Sequence, residues 1–345
     1  MNNNTSRTMA NARVNKKDEF YTKFDTIEDE VSNYKKHFEG KTVYLNCDDP
    51  RESQFFKYFV QEFNNLKLKR LIASCYVSQD YNLFNLTEER EKAVYVDYDG
   101  IGSPQIQELE GDGDFRSAES VSFLKQSDIV VTNPPFSLFR EYIAQLVEYD
   151  KKYLIIGNMN AITYKDFFEL IRNNKAWAGY SFNKAIEFKL PEGYDKYDRV
   201  DEKTGDKYAV VPAISWWTNI EHDKRKSFIK LSKNKNEADF NKYLTFDAIN
   251  IDRVDDIPSS YKGIMGVPIT FIGRYNPNQF ELLGLGAGNM LKELGGTTIN
   301  QEFLDEYLAQ GGTGNYVANQ HILAYYDSED NPVIPYMRVL IKSNM

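Results

Sequence analysis

DIVVTNPPFSLFREYIAQLVEY, residues Asp128–Tyr149, decides how the chain folds. Ile129, Val130 and Val131 form a short β-branched run, which reads as a buried strand. It runs straight into Asn133-Pro134-Pro135-Phe136. There the prolines stop regular structure, because each fixes φ and lacks an amide donor. From Ser137 to Tyr149, the residues Leu138, Phe139, Tyr142, Ile143 and Leu146 recur at helical spacing and make one apolar face. A strand that passes through a tight loop into a helix is the repeating unit of an α/β sheet.

Working outward, the same alternation recurs on both sides. Strands are predicted at Thr42–Cys47, Arg70–Val77, Ala93–Tyr98 and Tyr153–Gly157, and helices at Arg51–Leu66, Ser117–Lys125 and Tyr164–Asn173. The expected architecture is a doubly wound, mostly parallel α/β sheet. Beyond Trp177 the pattern changes to Ala185–Leu190 and Tyr208–Thr218, strand-like runs that suggest an antiparallel edge. The polar stretch between them carries turn signals at Glu192-Gly193 and Thr204-Gly205. From Glu221 onward the chain is less regular and richer in Gly and Asn. The expected organisation is a polar, Asn-rich disordered tail over residues 1–17, a sheet domain over 18–220 and a second region over 221–345.

The formal net charge of −9 argues against a polyanion partner, yet Lys224, Arg225, Lys226, Lys230, Lys233 and Lys235 form a basic stretch without an acid among them. Such a stretch is either a solvated loop or one nucleic-acid-binding face. Cys47 and Cys75 lie in apolar runs and read as reduced core residues. His37, His222 and His321 have no metal-ligand spacing, so no metal site is expected. The N-terminus lacks the apolar core of a signal peptide, and no run is long enough to cross a membrane, so a cytoplasmic location is expected. Gly284–Gly288, GLGAG, reads as a flexible turn, since it lacks the acidic partner and setting of a dinucleotide site. For Trp216 and Trp217, core packing is favoured over a wall of a base pocket.

In an open α/β sheet, ligands bind at the carboxyl ends of the strands, which is where Asn133–Phe136 falls. These residue types suit one reaction. The exocyclic N6 of adenine is a poor nucleophile, because its lone pair is delocalised into the ring. Two acceptors aimed at its hydrogens, the Asn133 side-chain oxygen and the Pro134 carbonyl, would redirect that lone pair. Pro134 and Pro135 would keep the acceptors in place, and such positioning is where the rate comes from. Phe136 offers a face on which a flipped base could stack.

At this motif the sequence resembles the amino-methyltransferases, and among them the EcoRI-type adenine-specific DNA methyltransferases. VYLNCDDP (Val43–Pro50), GDGDFRS (Gly111–Ser117), NPPFSLFREYI, LIIGNMNAITYKDFF and GVPITF (Gly266–Phe271) carry the likeness in one order along the chain. The resemblance implies a Rossmann-like methyltransferase domain, S-adenosylmethionine as cofactor, double-stranded DNA as substrate with base flipping, and no metal. It also implies a C-terminal target-recognition region, a restriction-modification context and, from the asymmetry of that region, a monomer. Tyr21 and Thr22 resemble the element that touches the methionine end of the cofactor. Asn46, Asp48 and Asp49 would line the cofactor loop, Asp114 would accept from the cofactor's adenine amino group, and Phe115 would pack on its ring. From their charge, Lys224, Arg225, Lys226, Lys230 and Arg338 are the residues expected to meet DNA; Arg338, with Lys262, Arg274 and Lys342, is either a phosphate contact or a solvated surface cation.

Two departures stand out. The loop Asn46-Cys47-Asp48-Asp49-Pro50 contains no glycine, although backbone approach to a cofactor usually uses one. No acid follows the second strand until Asp80, which leaves Asp97 or Asp99 as a substitute for the ribose contact. The alternatives are methylation of adenine in structured RNA, whose base chemistry is identical, and a DNA-binding remnant that has lost its cofactor. Methylation of protein glutamine is disfavoured by Phe136, where those enzymes carry Tyr.

Overall fold

The structure, a computed structural model, describes residues 21–47, 49–76, 92–190 and 196–344. Asp48, Asp80 and the tail over residues 1–17 lie outside the described residues. The chain forms two compact units. One comprises the residues up to Ala161 together with Trp177–His222, the other Ile162–Ala176 together with the residues from Asp223 onward.

The first unit is built on an eight-stranded mixed sheet flanked by helices, an arrangement compatible with a methyltransferase fold. Its strand order is Ile106–Glu108, Val94–Tyr98, Arg70–Ser74, Thr42–Asn46, Ile129–Thr132, Lys152–Asn158, Ile214–Thr218, Trp177–Ala178. The four central strands are parallel, with Val43 opposite Ile129 and Asn46 opposite Ser74. Thr42–Asn46 and Ile129–Thr132 are buried at every position. Both faces of the sheet centre are therefore covered, as parallel sheets require.

A mostly parallel sheet with an antiparallel edge beyond Trp177 was expected; that edge is present, and the structure corrects the reading at the other one. Val94–Tyr98 and Ile106–Glu108 are antiparallel to their neighbours at one edge, as are Ile214–Thr218 and Trp177–Ala178 at the other. The segment between Tyr98 and Ile106 is too short for a parallel crossover, which takes a dozen residues or more. The run Tyr208–Thr218 is also not one strand. Pro212 lacks an amide donor and Ala213 has φ +60°, so the chain turns there. Ile214–Thr218 stays with the large sheet, while Lys207–Val210 joins a second antiparallel sheet with Arg199–Val200, Glu187–Lys189 and Tyr21–Thr22.

The helix Phe139–Glu148 buries Phe139, Tyr142, Ile143 and Leu146, as its spacing predicts. Gly157, near the end of the adjoining strand, is needed there: a Cβ on it would come within 2.2 Å of the Phe139 ring. Ser53 caps the helix Gln54–Gln61 by accepting from the Phe56 amide. Phe55, Phe59 and Trp216 fill the core, with Phe55 edge-on to Trp216. Each such aromatic burial stabilises the unit by about 1.5–3 kcal/mol. Trp217 is equally buried and packs on Phe182, so both tryptophans are core residues.

Glu30 is fully buried in this core. Burial pushes its carboxyl up, and donors offset that: the Tyr180 amide (2.6 Å), the Ser181 amide (2.9 Å), the Tyr34 hydroxyl (2.9 Å) and the Ser181 hydroxyl. The polar atoms of this cluster are scattered over the sequence, which hides it from pattern reading.

The second unit holds the four-stranded sheet Ile249–Asn250, Ile264–Pro268, Arg338–Ser343, Phe280–Leu285. The helix Lys165–Arg172, which its sequence context ties to the preceding strand, belongs here. It buries Phe167, Phe168 and Ile171, and Arg172 donates to the Leu283 carbonyl. GLGAG ends the strand Phe280–Leu285, which is antiparallel to Arg338–Ser343, and Gly288 has φ +65°. This is the turn reading, outside any parallel crossover. Among the described residues, no helix is long and apolar enough to cross a membrane, and no group of three or more His, Cys, Asp or Glu could hold a metal ion.

Candidate active site

The carboxyl ends of the four parallel strands place Asn46, Ser74, Thr132 and Asn158 along one edge of the sheet. Asn133 follows directly. Its residue is half-buried and its Oδ1 is buried. Pro134 is buried, and Pro135 and Phe136 are half-buried, with Phe136 packed on the main core. The Pro135 carbonyl accepts from the Leu138 amide (3.0 Å), which closes a tight turn leading into the helix. The motif is thus clamped between a buried strand and a buried helix face.

The neighbouring loop reaches a left-handed backbone conformation without a glycine. Cys47 adopts φ +99°, a conformation that costs a side-chain-bearing residue energy and persists only where the surroundings impose it. Its amide donates to the Ser74 carbonyl (3.1 Å) and its Sγ to Asn46 Oδ1 (3.0 Å). Asn46 Oδ1 also accepts from the Tyr142 hydroxyl (2.7 Å), and the Asn46 carbonyl accepts from Thr132 Oγ1 (2.8 Å). Asn46 is 1% exposed, and its Nδ2 has no acceptor among the described residues. Asp49 accepts from the Arg51 side chain (2.9 and 2.5 Å) and amide (2.9 Å). Burial pushes the Asp49 carboxyl up, but these donors outweigh it and hold the group below the usual carboxylate range. Cys75 is buried, Cys47 is half-buried, and neither is in a disulfide. Burial raises the Cys75 thiol to about 11, so it is inert.

The third element is the Asp112–Arg116 loop. Gly113 has φ +77°, and a Cβ on it would lie 1.9 Å from the Cys75 carbonyl oxygen, so the loop lies against the end of the second strand. Arg116 donates to both Asp114 oxygens (2.9 and 2.6 Å) and thereby holds that carboxyl below its ordinary range. Arg116 also reaches Glu141 (3.0 Å). Phe115 is buried edge-on to Tyr142 at 5.1 Å, and its carbonyl accepts from Gln145 (3.0 Å).

Asn46, Asp114, Phe115 and the Asn133 loop, separated widely in sequence, are therefore brought to one edge of one sheet. Tyr142 and Arg116, which join them, were not singled out from sequence. A lone hydroxyl on an otherwise apolar helix face was the available signal for Tyr142. Tyr21 and Thr22 line a cavity of about 490 Å³ with Lys23, Arg51, Lys189 and Tyr208 among others. Arg51 connects that cavity to the Asp49 loop. Asp97 pairs with Arg70 and Asp99 caps its own turn, so neither stands out as a ribose ligand.

In the second unit, Lys224, Lys226 and Lys230 are exposed, and Arg225 is half-buried with Nη2 donating to Asn174 Oδ1 (2.7 Å). Two buried amides hold this stretch. Gln279 Oε1 accepts from the Ile229 amide and its Nε2 donates to the Ile229 carbonyl (both 2.7 Å), while Asn276 donates to the Lys226 carbonyl (3.0 Å). Arg338 is different. Its side chain is only 10% exposed and is committed to Asn250 (3.0 Å) and Asp252 (2.9 Å). Arg274 pairs with Asp255, while Lys262 and Lys342 are exposed.

A parallel-centred sheet that presents a rigid Asn-Pro-Pro-Phe loop beside a buried, polar second loop fits the class of amino-methyltransferases. The family described as adenine-specific methyltransferase EcoRI matches residues 8–344. The Type II methyltransferase M.EcoRI of Escherichia coli is 45% identical over 305 residues, covering 85% of this chain and 93% of its own. The Type II methyltransferases M.MgeORF184P of Mycoplasma genitalium and M.MpnI of Mycoplasma pneumoniae are 39% and 36% identical, each over 79% of this chain and 84% and 83% of their own. No solved structure matches the chain. The chain belongs to this family and is a site-specific DNA methyltransferase with adenine specificity.

Proposed function

We propose that the enzyme methylates N6 of an adenine in double-stranded DNA with S-adenosylmethionine as donor, turning the target base out of the helix. The buried Asn133 Oδ1 at the carboxyl edge of the sheet, on a loop stiffened by two prolines, is the observation that carries this reading. Asn133 Oδ1 and the Pro134 carbonyl accept the two N6 hydrogens and turn the nitrogen lone pair out of conjugation with the ring. Phe136 supports the ring face. Because the acceptors are fixed before the substrate arrives, little reorganisation is needed in the transition state. The N6 proton leaves after the new bond has formed, so no strong general base is required.

The donor-side residues fit the cofactor. Asn46 Nδ2 is a buried donor awaiting an acceptor, and the strained Cys47 brings the loop backbone close without glycine. That feature favours a cofactor-binding enzyme over a cofactor-free remnant. When bound, S-adenosylmethionine supplies a methyl group on a sulfonium centre. Asn46, Asp48 and Asp49 line its amino-acid side with Tyr21 and Thr22, Asp114 accepts from its adenine amino group, and Phe115 packs on the ring. The second unit, with Lys224, Arg225, Lys226 and Lys230 on phosphates, serves target recognition. Arg338 instead holds the fold of that unit. The enzyme works as a monomer in the cytoplasm, in the role of a Type II modification methyltransferase.

The test is methyl transfer to duplex DNA by Asn133→Ala. Turnover should fall by about two orders of magnitude or more, the scale of losing one preorganised polar contact, with cofactor affinity nearly unchanged. Turnover close to the parent's would overturn the assignment.

A further inference from the structure

Three residues on one face of the helix Phe139–Glu148 grip the donor-side loops. Glu141 binds Arg116, Tyr142 binds Asn46 and packs on Phe115, and Gln145 binds the Phe115 carbonyl. The helix starts three residues after the Asn133–Phe136 loop ends, so the loop that positions the target amine and the loops assigned to the donor are tied to one rigid rod.

We propose that Tyr142 is a positioning residue for the cofactor, acting through the Asn46 amide. The inference rests on the assignment of Asn46 to the cofactor loop. An asparagine amide has a carbonyl side that accepts and an NH2 side that donates, and its neighbours decide which way it points. Here two donors, the Tyr142 hydroxyl and the Cys47 thiol, converge on Oδ1. In this orientation Nδ2 is turned away from both groups, and the two contacts to Oδ1 hold the amide in place. Nδ2 is thereby fixed as a donor on a residue that is 1% exposed, without an acceptor among the described residues. A buried donor left in that state costs energy unless a ligand supplies the acceptor. Without the Tyr142 hydroxyl, the lock is reduced to one weak thiol donor. The ring of Tyr142 holds Phe115 separately, so the hydroxyl and the ring have distinct roles.

The experiment is a double-mutant cycle on S-adenosylmethionine affinity, measured by calorimetry on the full chain without DNA. Tyr142→Phe keeps the ring and its volume, and a thermal melt checks its fold. It should weaken cofactor binding about tenfold, as for one lost positioned hydrogen bond, and leave kcat at saturating cofactor and DNA within about twofold. Asn46→Ala should weaken binding by at least as much. The double variant should be no weaker than Asn46→Ala alone, because the hydroxyl acts only through that amide. Unchanged affinity in Tyr142→Phe, or losses that multiply in the double variant, would overturn the role of Tyr142 while sparing that of Asn46. Unchanged affinity in Asn46→Ala would instead remove the cofactor-loop assignment itself, and this inference with it.

Discussion

The loops around Asn46 and Asn133 and the basic stretch Lys224–Lys230 present polar groups in opposite ways. In the first region Asn46 is buried and held by Tyr142 and Thr132, and Asp114 is half-buried and held by Arg116. In the second, Lys224, Lys226 and Lys230 lie in solvent, and what is buried is the scaffold of Asn276 and Gln279 that holds their backbone. Buried groups act through geometry, so one atom can matter greatly, and salt hardly touches them. Exposed charges act through the field they create together, and each is worth little and is screened.

The comparison can be broken at Asp114. Asp114→Ala should raise the S-adenosylmethionine dissociation constant about tenfold or more, as for loss of a hydrogen bond to a charged group. Stability should change little, because the Arg116 it releases is half-exposed and keeps Glu141. Titration of the variant with cofactor decides it, and parent-like affinity would make Asp114 a loop anchor for Arg116.

A smaller effect per residue is expected in the basic stretch. Changing Lys224, Lys226 and Lys230 to Gln should weaken binding to any duplex and flatten the salt dependence by about one log–log unit for each phosphate no longer neutralised, without altering the recognised sequence. Arg338→Gln is the sharp control. It should lower the melting temperature, since it removes a largely buried side chain that bonds to Asn250 and Asp252, while leaving the salt slope unchanged. Binding isotherms at several salt concentrations distinguish the two, and a lower slope in Arg338→Gln would return that residue to the DNA interface.

The smallest effect belongs to Glu187, whose carboxyl is held at about 2 by Arg199 and, next, by Lys23. A depressed carboxylate stabilises the fold above its unfolded pKa, and that contribution is lost as pH falls toward the folded value. Acid melts between about pH 4.5 and pH 2 should therefore be slightly less steep in Glu187→Gln. The pair is screened, so the parent's advantage near neutral pH is small, and it shrinks as pH falls. A gap between parent and variant that widens as pH falls from about 4.5 to 2 would contradict this sign.

How much could be read in advance differs from element to element. Phe139, Tyr142, Ile143 and Leu146 are buried as their spacing predicts, because helical periodicity is a local property. The site motif was legible for the same reason, since Asn-Pro-Pro after a β-branched strand constrains its own backbone. The direction of Val94–Tyr98 and Ile106–Glu108 was not legible, because pairing is decided by which neighbour a strand meets, whereas the antiparallel edge beyond Trp177 was. The break at Ala213 was missed because Tyr208–Thr218 carries an apolar, β-branched pattern on both sides of Pro212. Arg338 looked like a surface cation until Asn250 and Asp252, more than eighty residues away, came within hydrogen-bond reach.

By itself, then, the sequence determined the alternating strands and helices, the Asn133–Phe136 loop at a strand's carboxyl end and the chemistry those residue types can perform. All of these depend on groups close together along the chain. The tertiary structure decided which strands are parallel, which cations are exposed, the left-handed backbone at Cys47 and the hydrogen bond from Tyr142 to the Asn46 amide. Those depend on contacts between distant segments, where burial and the matching of each donor to an acceptor select among the options that local sequence leaves open.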